Sequence, residues 1–140
     1  MYDERNAGHL SVEAMYDEVR RLEKMQKKRV IDEVCVVAVA SELRQIAIDT
    51  FGDKLDKLYL YEVNLGGRED YDMRFMIVLK VAHEDVNHEE KKLRAHPVDL
   101  SLKYDIVEYI QVTSSENFNK YKNSLLDYKT AAEIGVLLYG

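Results

Sequence analysis

Two aspartates separated by one residue, Asp70-Tyr71-Asp72, stand at the head of the apolar run Met73-Arg74-Phe75-Met76-Ile77-Val78-Leu79. In a strand, side chains alternate between faces, so both carboxylates project to one side, about 6.6 Å apart at ~3.3 Å per residue. Two hard oxygen donors at that spacing can share one or two divalent cations. Magnesium suits such a site, because it takes one or two protein carboxylates and fills its other positions with phosphate oxygens and water. An Asp-x-Asp at a strand entry also occurs as a plain solvated turn. The same period of two puts Arg74 on the face of Asp70 and Asp72, where a guanidinium either clamps a phosphate or neutralises the carboxylates in place of a metal.

These residues need a scaffold, and the hydrophobic periodicity describes one. From Ser11, the apolar residues Val12, Met15, Val19 and Leu22 form the stripe of an amphipathic helix that closes on Lys27-Lys28-Arg29. Left in water such a stripe is costly, so it is expected to be buried against the rest of the chain or a second copy. A second helix is expected over Val30–Phe51, with Leu43, Ile46, Ala47 and Phe51 on its stripe and Gly52 as its left-handed stop. Leu58–Val63 reads as a strand, Leu65–Arg68 as a tight turn, and Tyr71–Val81 as a strand too apolar to lie at an edge.

After that hairpin, Glu84–Arg94 reads as helical and Pro97 is placed in the first turn of a short helix ending before Asp105. Ile106–Val112 is a third strand. Thr113 and Glu116 have the spacing of a capping box, opening a helix with Phe118, Tyr121 and Leu125 on one face. Gly135 stops a last helix and Val136–Tyr139 is a terminal strand or tail. The expected fold class is α+β, a small mixed sheet flanked by helices, with an N-terminal helical extension over 1–29 and a domain over 30–140.

The composition limits the function classes. The chain has 140 residues, 46% hydrophobic and 33% charged, as in an ordinary globular domain of one core. A net charge of −6 supplies no field for a polyphosphate backbone, so nucleic-acid binding is not expected. The longest apolar run, Val34–Ala40, is far short of the ~20 residues a membrane helix needs. No apolar leader follows Met1, and the expected address is the cytoplasm. The lone Cys35 lies within that apolar run and reads as an inert buried thiol. His83 and His88 are five apart, roughly 140° around a helix, which is wrong for a two-histidine zinc helix. Gly66-Gly67 lacks the Lys-Ser/Thr of a phosphate-binding P-loop and is sufficient as a hairpin turn. The tetrad Met1-Tyr2-Asp3-Glu4 returns as Met15-Tyr16-Asp17-Glu18, a chance similarity on which nothing rests.

The order of these elements, with Asp-x-Asp leading the second strand, Tyr104-Asp105-Ile106-Val107, Thr113–Phe118 and the closing Gly135–Gly140, resembles the minimal nucleotidyltransferases of the polymerase-beta superfamily over roughly 38–140. That group includes the antitoxin-type partners of HEPN proteins. The resemblance implies transfer of a nucleoside monophosphate from a magnesium-bound NTP to a protein or small-molecule hydroxyl. It implies Asp70 and Asp72 as the catalytic and metal-ligating pair for Mg2+, and Gly66, Gly67 and Arg68 as nucleotide-binding residues, to which the alternation, not the family, adds Arg74 as a phosphate clamp. The chain departs from the family pattern at three positions. Glu62-Val63 stands where a Gly-Ser would admit the triphosphate to the backbone, and Glu62 adds bulk and like charge. Tyr109 stands at the third acid, with Glu108 adjacent but facing the opposite side of its strand. Arg74 stands where the family carries an apolar residue. The alternative is therefore a catalytically degenerate binding module, the partner of a HEPN-type or other protein, in a homo- or hetero-oligomer.

Overall fold

The computed structural model describes residues 12–64, 71–97 and 99–140. By internal contacts the chain divides into two compact units, Met1–Cys35 and Val36–Gly140. The first helix, α1, runs without interruption from Val12 to Phe51. The basic run Lys27-Lys28-Arg29 therefore does not end a helix: lysine and arginine are good helix formers, and no Gly or Pro follows them before Gly52. Gly52 does end it, with φ +53, a conformation in which glycine escapes the Cβ clash other residues meet.

In the first unit, Val12, Met15 and Val19 are exposed within the single chain, which leaves the expected covering of this stripe, by the rest of the chain or a second copy, as an expectation. An apolar stripe defines a helix face without naming its neighbour. The side chain of Leu22 lies outside those described. Cys35 is half-buried instead of buried.

The second unit is α+β. β1 (Leu55–Asn64) pairs antiparallel with β2 (Tyr71–Leu79), β2 pairs parallel with β3 (Ile106–Ser114), and β4 (Val136–Tyr139) adds antiparallel to β1. The resulting mixed sheet has the order β3-β2-β1-β4. β2 is central, as its apolar run requires: Met73, Phe75, Met76, Ile77, Val78 and Leu79 are all fully buried. Between β2 and β3 come α2 (Val86–Arg94) and α3 (Leu100–Tyr104), and between β3 and β4 come α4 (Ser115–Tyr121) and α5 (Leu126–Ile134).

The two faces of the sheet have separate partners. On one, Tyr59, Met76 and Val78 pack with Phe118 of α4 and Tyr128 and Ala131 of α5. The Phe118 ring lies 5.5 Å from Tyr59 and 5.8 Å from Tyr128, centroid to centroid. On the other, Glu108 and Ile110 of β3 lie in register with Met73 and Phe75 of β2, and they share a cavity with Leu43 and Ile46 of α1 and with residues of α2 and α3.

Several local expectations shift by a few residues. Pro97 lies ahead of α3, not in its first turn, because Asp99 caps that helix by accepting from the backbone N–H of Ser101 and Leu102 at 3.0 and 3.3 Å. Ser114, not Thr113, caps α4, accepting from the Asn117 N–H at 3.1 Å. Thr113 is otherwise engaged: its hydroxyl accepts from the buried Tyr128 hydroxyl at 2.9 Å. Leu125 does not continue the Phe118 face; α4 ends at Tyr121 and Leu125 is exposed just before α5. Gly135 stops α5 in an extended conformation, its N–H bonding the carbonyls of Thr130 and Ala131. A Cβ at that position would come within 2.4 Å of the Ala131 carbonyl oxygen, which explains the glycine there.

Candidate functional site

Asp72 enters β2 between Asn64 of β1 and Val107 of β3, half-buried. Asp70, Gly66, Gly67 and Arg68 lie outside the described residues. Arg74 follows Asp72 by two residues and by alternation shares its face. What surrounds Arg74 comes from the neighbouring strands. Its Nε donates to Glu62 Oε2 at 2.8 Å, and its guanidinium carbon lies 4.5 Å from the centre of the Tyr109 ring.

The Glu62 contact depends on an irregularity in β1. Tyr59 pairs with Met76 and Leu60 with Phe75, but the next paired residue is Glu62, opposite Arg74. Tyr61 is thus an extra residue, a bulge, so that Tyr61 and Glu62 together oppose Arg74. In an unbroken register Glu62 would lie opposite Met73 and face the other side of the sheet. Sequence periodicity put Arg74 on the face of Asp70 and Asp72, and the family resemblance marked Glu62 and Tyr109 as departures, but neither reading found Glu62 as the arginine's partner. Nothing in Leu60-Tyr61-Glu62 signals a bulge, since no glycine marks it.

The resulting cluster holds its charge internally. Glu62 supplies a carboxylate to the guanidinium and Tyr109 the negative face of its ring. Beside them is a shallow cleft of about 240 Å³ whose lining includes Tyr61, Arg74, Tyr109 and Asp127 together with the β3 residues Glu108, Ile110 and Gln111. The Tyr61 hydroxyl titrates above its ordinary range, first because it is partly buried and then because Asp127 is near, while Arg74 pulls it back. This phenol is a hydrogen-bonding group at neutral pH.

Glu108 lies on the opposite face, as alternation requires, in the cavity bounded by α1, α2 and α3. The register gives the level of Arg74 on β3 to Tyr109. Of the two histidines in the rejected zinc motif, His83 shares a hydrogen bond between its Nδ1 and Asn117 Nδ2 at 2.6 Å, and His88 is exposed. Among the described residues no three His, Cys, Asp or Glu side chains form a group that could hold a metal ion, and no helix is long and apolar enough to cross a membrane.

No protein-family model matches this chain, and comparisons with curated proteins and with solved structures return no match.

Proposed function

We propose that this chain is a nucleotidyltransferase-like binding module without transferase activity, which works through contact with a second polypeptide, a HEPN-type protein or another copy. The observation that supports this reading is the contact of Glu62, Arg74 and Tyr109. These are the three positions at which the sequence departs from the family pattern, and they meet across three adjacent strands. A guanidinium already bonded to a carboxylate and seated on an aromatic ring offers a phosphate little unspent charge. The same guanidinium fits a magnesium centre poorly, because a divalent cation at Asp72 would meet like charge two residues along the same face. The exposed Val12, Met15 and Val19 supply apolar surface for a partner.

A second reading, an active transferase using Mg2+ and an NTP, is favoured by the position of the half-buried Asp72 at the head of a central strand. In that case Arg74 would leave Glu62 to hold a phosphate. Calorimetric titration with magnesium and ATP separates the two. The binding-module reading expects weak or no heat in the wild type and stronger magnesium binding in Arg74→Leu. Tight magnesium-ATP binding that Arg74→Leu weakens would overturn it in favour of the transferase.

A further inference from the structure

A cavity of about 340 Å³ lies between α1, α2, α3 and β3, on the face of the sheet away from Arg74. That volume is in the range of small-molecule sites, roughly 300–1,000 Å³. Its walls include the apolar side chains of Leu43, Ile46, Leu93 and Ile110.

Most charged groups around it already have partners. Arg94 donates to Glu90 at 2.6 Å, Asp99 is occupied in capping α3, and Lys103 donates to Glu42 Oε1 at 2.6 Å. Glu42 keeps a second buried oxygen without a partner, though its charge is met by Lys103. Glu108 differs. Among the described residues its buried Oε1 has no hydrogen-bond partner and its carboxyl makes no ion pair. A buried carboxyl oxygen left unpaired costs free energy and calls for a reason.

We propose that this cavity binds a small organic cation, an alkyl- or arylammonium ion, whose charged head pairs with the Glu108 carboxylate and whose apolar body lies against Leu43, Ile46, Leu93 and Ile110. The surroundings favour a cation over an anion or a neutral guest. Burial, then the nearby Asp99 and Glu42, push the Glu108 carboxyl up to about 7; burial opposes any charge, but the negative field of the two neighbouring acids draws a cation in and repels an anion. A neutral guest of the same shape would fill the apolar part and at most donate a hydrogen bond to Oε1, leaving the carboxylate's charge unbalanced. This inference does not rest on the nucleotidyltransferase reading, and magnesium-ATP titration does not bear on it.

The probes are benzylammonium and its neutral counterpart benzyl alcohol, titrated into the full chain by calorimetry and followed by the Glu108 carboxyl carbon resonance. Benzylammonium is expected to bind about tenfold more weakly at pH 6 than at pH 8, the change in ionised fraction for a carboxyl titrating at about 7. Its binding should also move that titration downward, and benzyl alcohol should do neither. His96 also lines the wall, so Glu108→Gln assigns the effect to the carboxyl: affinity and pH dependence should both disappear. Equal binding of the alcohol, or undiminished binding of benzylammonium to Glu108→Gln, would overturn the proposal. If that variant does not fold, the wild-type pH series and the carboxyl resonance decide: a resonance unmoved by the amine rejects the site.

Discussion

Two carboxylates on the α1–α3 side of this protein, Glu89 and Glu108, show how far burial alone decides the state of an acid. Glu89 on α2 is almost wholly buried, yet Lys54 and Lys92 reach one of its oxygens at 2.7 and 3.1 Å. The hydrogen bond from Lys54 holds its carboxyl below the usual carboxylate range, outweighing the opposing effect of desolvation. Glu108 on β3 is more accessible than Glu89, has no such cation, and titrates well above that range. The partner, more than the depth, sets the direction. Lysine suits the first site because its flexible stem lets the ammonium remain partly in water while reaching inward.

The largest effect should come from breaking the satisfied acid. Glu89→Ala would leave two ammonium groups beside an emptied buried position, and a loss of several degrees in Tm is expected at pH 7. Because the folded-state pKa of Glu89 is depressed, its contribution is present above the unfolded value and is lost as pH falls through the folded one. The Tm difference between wild type and variant should therefore shrink as pH falls below the ordinary value of 4.5 and through the depressed folded-state value. A difference that does not shrink at all on acidification would show that packing, not the ion pair, holds this site.

Glu108 should behave with the opposite sign. Its folded-state pKa is raised, so the folded protein retains a proton that the unfolded chain releases, and stability falls as pH rises from about 4.5 to about 7 before levelling off. Glu108→Gln removes this loss. Thermal unfolding should find the variant more stable than wild type at pH 8, by on the order of 1 kcal/mol after allowing for solvent screening, and nearly equal to it at pH 4. A variant destabilised at both values would mean that the carboxyl is paired in solution.

A third substitution converts one environment into the other. Ser101 lines the Glu108 cavity, and Ser101→Lys would bring an ammonium to it, as Lys54 brings one to Glu89. The Glu108 carboxyl should then titrate toward its ordinary range, flattening the pH dependence of Tm between pH 5 and 8. A carbon-detected titration that still reports a value near 7 would locate the cause in desolvation alone.

The smallest stability effect belongs to the surface cluster. Arg74 and Glu62 expose 39% and 56% of their side chains, so Arg74→Leu should change stability by less than about 1 kcal/mol in denaturant unfolding. A larger loss would mean that the arginine organises the strands around it. A small one would leave its effect on magnesium binding as a clean readout.

Several features were readable without tertiary structure because they depend on neighbouring residues alone. Gly52 ends α1 for a local steric reason, the alternation of β2 puts Asp72 and Arg74 on one face, and the unbroken apolar run Phe75–Leu79 requires a central strand. The α+β class follows from the order of such elements. Other features depend on contacts the chain makes at a distance. The bulge at Tyr61 exists only in the pairing of β1 with β2, and it turns Glu62 toward Arg74 when simple alternation would turn it away. β4 lies beside β1 although more than seventy residues separate Leu60 from Val136. The stripe of Val12, Met15 and Val19 has the period of a buried face and is exposed, because periodicity specifies an orientation but not what meets it. The contrast between Glu89 and Glu108 is of the same kind: both are glutamates in mixed apolar and charged segments, and only the fold brings two lysines to one and leaves a buried oxygen of the other without a partner.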